Sequence, residues 1–183
     1  MRLSSKSLGV TCVEHRILTS TDAEAFRAIR LEGLRNCPTA FASSYDEDVE
    51  LPLEEVAARI SPSTDSWVLG AFSEHTRIVG CVGWYRDRGA KVRHKSHVWG
   101  MYVTPSHRRK GVARALLREL VARAKGTLGI MQIELTVSVD NTNAVTLYEA
   151  EGFRLAAVLP NALFVDGRGI DEQLRVLAVA SLT

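Results

Sequence analysis

Val98-Trp99-Gly100-Met101-Tyr102-Val103-Thr104-Pro105-Ser106-His107-Arg108-Arg109-Lys110-Gly111-Val112-Ala113-Arg114-Ala115-Leu116-Leu117 decides how the rest of this chain is read. It describes a strand to Val103, a short turn, a basic loop holding one glycine, and the first turns of an amphipathic helix. Amides in a helix's first turn have no intrahelical partner, and the helix dipole puts positive potential at that end. A strand that hands over to a helix through such a loop suits a phosphorylated ligand. Arg108, Arg109 and Lys110 add charge there, Gly111 lets backbone approach where a Cβ would intrude, and Ala113 keeps the next position small. A solvated surface loop has the same composition, so spacing and neighbours must separate the two readings.

Downstream, Gly111 to about Lys125 carries Val112, Leu116, Leu117, Leu120 and Val121 on one side, as an amphipathic helix does. Met131 to Val137 reads as a strand and Asn141 to Glu151 as a helix closed by Gly152. Arg154 to Val165 and Glu172 to Val179 read as a hairpin around Asp166-Gly167-Arg168-Gly169. Upstream, Ser66 to Phe72 and Arg77 to Tyr85 form another hairpin, and Val79 to Trp84 is small and apolar enough for a central strand. The organising strand itself is expected to start near Val92. Earlier still come a strand over Val13 to Leu18 and a helix capped by Thr21 and Glu24, with a stripe of Ala25, Phe26, Ile29, Leu31 and Leu34. A polar connection from Thr39 to Leu53 then leads to a short helix after Pro52. These elements predict an α/β fold: a mixed, mostly antiparallel central sheet with helices on both faces.

The 183 residues suit one domain over 13–183, preceded by a loose arm over 1–12. A hydrophobic share of 46% with 24% charged residues describes an ordinary soluble chain. The net charge of +2 is not gathered in long basic runs, which argues against nucleic acid as partner. No run approaches the roughly 18 apolar residues of a membrane span. Cys12, Cys37 and Cys81 are odd in number and widely spaced, which points to reduced thiols in a cytoplasm. The five histidines show no metal-ligand spacing, so no metal is expected.

Arg108-x-x-Gly111-x-Ala113, after a strand ending in Val103, resembles the Q/R-x-x-G-x-G/A signature of the GCN5-related N-acetyltransferase (GNAT) superfamily. Asn141-x-x-Ala144-x-x-Leu147-Tyr148-Glu149-x-x-Gly152-Phe153, one strand and one helix later, resembles that family's second signature. The likeness is strong from Val92 to Phe153 and weak before Ser66. It implies the acyl-CoA N-acyltransferase fold and acetyl-coenzyme A as co-substrate. By the same resemblance, the loop Arg108, Arg109, Lys110, Gly111, Val112, Ala113 and Arg114 takes the pyrophosphate. The strand Met101, Tyr102 and Val103 pairs with the pantetheine arm, Asn141 binds that arm, and Tyr148 stands near the sulfur. Thr39 to Leu53 would shape the acceptor site, with Phe41 or Tyr45 against the amine. Asn141 equally reads as a helix cap, Tyr148 as an aromatic sealing its helix to the sheet, and Phe153 as core.

The implied reaction is direct attack of a primary amine on the thioester in a ternary complex. A lysine-like amine is neutral in only about one molecule in 2,500 at pH 7, a penalty of about 4.6 kcal/mol, so a base helps. By the period of two, His97, Trp99, Met101 and Val103 share a face of the strand. His97 lies eleven residues before Arg108, where the histone-modifying branch of the family has a glutamate, and imidazole suits the work of a general base. His97 also reads as a residue filling the sheet face. Tyr148 would be the acid and the Val103 N–H the oxyanion donor. A module that binds acyl-coenzyme A without turnover is the alternative, and a homodimer stays open.

Overall fold

The computed structural model describes residues 13–73 and 77–179; the N-terminal arm and the centre of the turn after Ser73 lie outside the described residues. Among the described residues seven strands form one sheet: β1 (Glu14–Ile17), β2 (Ser66–Phe72), β3 (Ile78–Arg86), β4 (Lys95–Val103), β5 (Gln132–Ser138), β6 (Arg154–Val165) and β7 (Arg168–Ala178). Their order is β1-β2-β3-β4-β5-β7-β6, antiparallel throughout except for the β4–β5 pair. The helices are α1 (Ala23–Asn36), α2 (Tyr45–Val49), α3 (Leu53–Ile60), α4 (Val112–Lys125) and α5 (Thr142–Ala150).

Alternation along the strands builds a core on each face. Trp67, Leu69 and Ala71 of β2 join Leu116, Leu117 and Leu120 of α4, with Val145 and Leu147 of α5 against the same cluster. On the other face Val68 and Phe72 meet Phe26 and Ile29 of α1 and Val56 and Ile60 of α3. β3 lies between them, with Val79 and Val82 in one core and Ile78 and Cys81 in the other. Its small, apolar sequence is that of a strand covered on both sides.

α1 differs from the sequence expectation in two ways that matter for the site. Thr19, not Thr21, opens it: the Thr19 N–H donates to Asp22 Oδ2 at 2.8 Å, and a 3-10 turn over Ser20–Asp22 precedes the helix. The Arg16 guanidinium grips the same carboxylate at 2.7 and 2.8 Å and so fixes where the helix starts. The buried stripe is Ala23, Phe26, Ile29, Arg30, Gly33 and Leu34, so Arg30 points inward where Leu31 was expected. Gly33 permits this seating, since a Cβ there would stand 3.1 Å from the ring of Tyr102 on β4. The Tyr102 hydroxyl donates to Glu32 and accepts from Asn36, both at 3.0 Å, which pins α1 over β4.

Two further boundaries differ. Val92 lies in a turn, and β4 begins at Lys95. The polar connection contains α2, opened by Ser44, whose hydroxyl accepts from the Glu47 N–H at 3.2 Å while Glu47 returns to the Ser44 N–H at 2.8 Å. Ser44-x-x-Glu47 is a capping-box pattern legible in the sequence.

Candidate active site

β4 and β5 pair at one end only. Lys95, Ser96 and His97 lie opposite Gln132, Ile133 and Glu134, after which the strands part. A β-bulge causes the split. Trp99 pairs with Gly83 and Tyr102 with Cys81, leaving Gly100 and Met101 together opposite Val82. Gly100 supplies the left-handed conformation, φ +63°, that the extra residue needs. The added residue also reverses the alternation. Trp99 sits against Phe26 on the α1 face, whereas Met101 and Val103 turn to the α4 core. The face expected to join His97, Trp99, Met101 and Val103 is therefore broken at Gly100.

The bulge also decides which main-chain groups are free. Thr104 N–H donates to Val79 at 2.9 Å, so Thr104 and Tyr102 direct their main chain toward β3. Met101 and Val103, alternating with them, turn their main chain to the open edge, where the Val103 carbonyl already accepts from Arg108 Nε at 2.9 Å. Tyr102 adds to the wall of the cleft but, contrary to expectation, has no main-chain group to offer there.

Where β4 ends, a cavity of about 700 Å³ opens over the start of α4. Gly111 (φ +83°) and Arg109 (φ +60°) turn the loop, and a Cβ on Gly111 would meet nothing within 4 Å, so that space is available to a ligand. The first hydrogen bond of α4 runs from Ala115 N–H to Gly111 at 3.0 Å, which leaves the amides of Val112, Ala113 and Arg114 without helical acceptors. The loop's cations do not all serve it. Arg108 folds back to the Val103 carbonyl at 2.9 Å and lies over the Tyr102 ring, and Arg114 pairs with Glu151 at 3.1 Å. Lys110 is exposed and lines no wall of this cavity. Arg108, Arg109 and Arg114 nevertheless line this cavity beside the free amides.

Two smaller cavities continue inward between the parted strands, about 250 Å³ and then about 80 Å³. The larger two share Val103, Arg108, Ala113, Asn143 and Leu147; the inner two share Phe41, Met101, Asn141 and Tyr148. Asn141 Oδ1 accepts from the Ala144 N–H at 3.3 Å, so it caps α5 while its side-chain amide lines the cleft. Tyr148 is 6% exposed, its ring edge-on to Phe153, which is core. Burial alone pushes the Tyr148 hydroxyl up to about 12.

His97 stands at the last paired position, beside the point of the split. Its Nε2 lies 3.1 Å from Asp87 Oδ2, its ring stacks on Tyr85, and its Nδ1 is 4.0 Å from Glu134. It lines none of the three cavities. Glu172 on β7 lies diagonally across from Thr136, which lines the inner cavity, and burial raises its carboxyl while the Thr136 hydroxyl opposes that rise. Phe41 walls the inner two cavities, whereas Tyr45 lines a separate cavity with Phe164, and its hydroxyl accepts from Arg35 at 2.6 Å. Asp48 is buried between Arg30 and Arg59. Asp87 and Glu172 carry no local sequence signal, since their places depend on strand register.

The family model described as the Acetyltransferase (GNAT) family matches residues 31–153, two thirds of the chain. The chain belongs to the GNAT family. That GNAT match takes in the bulge, the loop and the whole Asn141–Phe153 block. Among curated relatives, an L-amino acid N-acetyltransferase of Escherichia coli, AaaT, is 34% identical over 79 residues, 42% of this chain and 49% of that one. A spermidine N(1)-acetyltransferase of Vibrio cholerae is 35% identical over 75 residues, 41% of this chain and 43% of that one. The matched stretch thus spans under half of either relative. Among solved structures, yncA of Salmonella typhimurium, determined with acetyl-CoA, superposes with a TM-score of 0.77 at 21% identity, covering 94% of this chain and 96% of that one. It shares the GNAT fold.

Proposed function

We propose that this protein is an acetyl-coenzyme A dependent N-acetyltransferase acting on a primary amine in a ternary complex. The observation that carries this reading is the continuous cleft, which runs from an amide-lined loop through parted strands to a buried tyrosine hydroxyl. The relatives named as acetyltransferases and the yncA structure with acetyl-CoA support it. Amides of Val112, Ala113 and Arg114 hold the pyrophosphate, with the α4 dipole behind them. Val103, with Asn141 across the gap, lines the pantetheine arm. Met101 shares the innermost cavity with Tyr148 and Val103 does not, so the Met101 N–H is the better oxyanion donor of the two. As the amine nitrogen bonds the acyl carbon and the carbon–sulfur bond breaks, Tyr148 directs its O–H to the sulfur. His97, oriented by Asp87, takes the amine proton through water. Glu172 is the second candidate for that role, because its burial favours holding a proton.

Free thiol released from acetyl-coenzyme A in the presence of an amine panel tests the reading. Tight coenzyme binding without amine-dependent release would instead identify an acyl-coenzyme A sensor. Among the described residues no helix is long and apolar enough to cross a membrane, and Cys37 and Cys81 are free thiols, in keeping with a reducing cytoplasm. We also propose a second copy of the chain as partner, seated along β6. This strand ends the sheet and exposes Leu155 (52%) and Val158 (51%).

A further inference from the structure

Arg30 is a cation held nine-tenths buried beside the innermost cavity: its side chain is 9% exposed. Its guanidinium has three surroundings. One face lies over the Phe41 ring, 4.7 Å from the centroid. The Nε edge donates to Asp48 at 2.9 Å. The remaining edge points at the bulge, where Nη1 is the nearest atom, at 3.9 Å, to the position a Gly100 Cβ would take. Gly100 and Phe41 both line the cavity that also holds Met101 and Tyr148. Among the described residues Asp48 is the only hydrogen-bond acceptor Arg30 has.

Charge accounts for more than the pairing does. Arg59 reaches the same carboxylate at 3.5 Å and lies over the Trp99 ring, so two guanidiniums share one acid. That corner sets two guanidiniums against one carboxylate; Arg59 is 39% exposed and meets water, whereas Arg30 is the buried one, where water screens charge poorly. The other acids of the segment do not correct this, for Glu47 caps α2, and Asp46 and Glu50 are exposed. A buried ion pair adds little net stability over an apolar pair of the same shape, so joining α1 to α2 does not by itself explain a charged Arg30. A planar fork with one free edge suits a carboxylate.

We propose that Arg30 receives the carboxylate of the acceptor, so that the acceptor is a compact amino acid, with amine and carboxylate close together, and not a polyamine. This rests on the acetyl-transfer reading. The geometry sets the spacing: Nη1 lies next to Gly100, one residue from the Met101 amide assigned to the oxyanion. An amine one or two carbons from its carboxylate spans that gap. The relatives' names divide between an amino acid and spermidine, so the buried cation, not the likeness, is what selects between them.

The test compares α-amino acids with their α-amides, and with the matching amines that lack the carboxylate, alongside spermidine. For the wild type we expect kcat/KM to favour the amino acid by about 10²-fold or more, since an analogue bound without the carboxylate leaves the buried guanidinium edge unmatched. Arg30→Met should erase that preference by raising KM for the amino acid, with the coenzyme Kd unchanged. Arg30→Lys keeps the charge but not the fork, retains part of the preference, and serves if the methionine variant does not fold. A binding arm stands apart from turnover: with saturating coenzyme A, an amino acid should raise Tm and its amide should not. Carboxylate-dependent binding without acetyl transfer would uphold this inference and sink the catalytic reading. Equal turnover of acids, amides and spermidine would uphold catalysis and overturn the inference.

Discussion

At the scale of single residues, the proposed chemistry divides between a hydroxyl that holds its proton and a base that must be free of one to accept the amine's. Burial holds the Tyr148 proton to about pH 12, so it offers an O–H at any working pH. No alkaline loss of activity should trace to this group until the pH nears that value. Tyr148→Phe is expected to lower kcat by about 10²-fold while leaving the coenzyme Kd nearly unchanged, because the ring still packs on Phe153. His97 behaves oppositely, since protonation removes its function. The acid limb of the kcat/KM profile should flatten in His97→Ala and persist in Tyr148→Phe. If His97→Ala keeps the parental limb and Glu172→Gln loses it, the base is the glutamate. If Tyr148→Phe is silent, that tyrosine only packs.

The scale of the element decides how the cleft forms, and there the sequence was legible in some places and silent in others. Gly111 with its basic neighbours marked the loop before α4, but not that Arg108 bonds the Val103 carbonyl or that Arg114 pairs with Glu151. A backbone cradle predicts that Gly111→Val raises the coenzyme Kd well beyond Arg109→Ala, by calorimetry, since a side chain at φ +83° is strained and fills the ligand's space. Equal, small effects would mean the loop is not the cradle. The bulge at Gly100 was hidden because a period-two reading assumes an uninterrupted strand, and one extra residue turns Met101 and Val103 over. Arg30 was hidden in a different way: the 3.6-residue period from Phe26 and Ile29 places position 30 inward, yet hydropathy argues against a charge there. The start of α1 makes its own prediction. Arg16, with help from the Thr19 amide, holds the Asp22 carboxyl down at about 2, below the roughly 3.9 of an unfolded aspartate. Its contribution is complete above the unfolded value and is lost as pH falls toward 2. Acid unfolding of Asp22→Asn should lack that part of the transition, and identical acid curves for both proteins would show that the contact contributes nothing.

At the scale of the whole molecule, the sheet is closed by short β1 at one end and by twelve-residue β6 at the other. An edge strand leaves a row of unpaired N–H and C=O groups, which soluble proteins usually protect with charge, proline, a bulge or a partner. The second half of β6 is protected: Pro160 cannot donate, Asn161 has φ +50°, and the register shifts between Leu159 and Leu163. The first half, Arg154 to Leu159, is straight apart from one irregularity near Ala157 and carries Leu155 and Val158 in the open. Antiparallel pairing of that half with its copy across a two-fold axis would cover both side chains and satisfy both edges at once. Sedimentation equilibrium should therefore give twice the monomer mass. Leu155→Lys with Val158→Lys places two cations on each facing strand, and should give a monomer whose coenzyme Kd is unchanged, since β6 lies outside the cradle. A wild type that sediments as a monomer at all accessible concentrations would remove the second copy and leave β6 as an exposed edge that Pro160 and the bulge protect only in part.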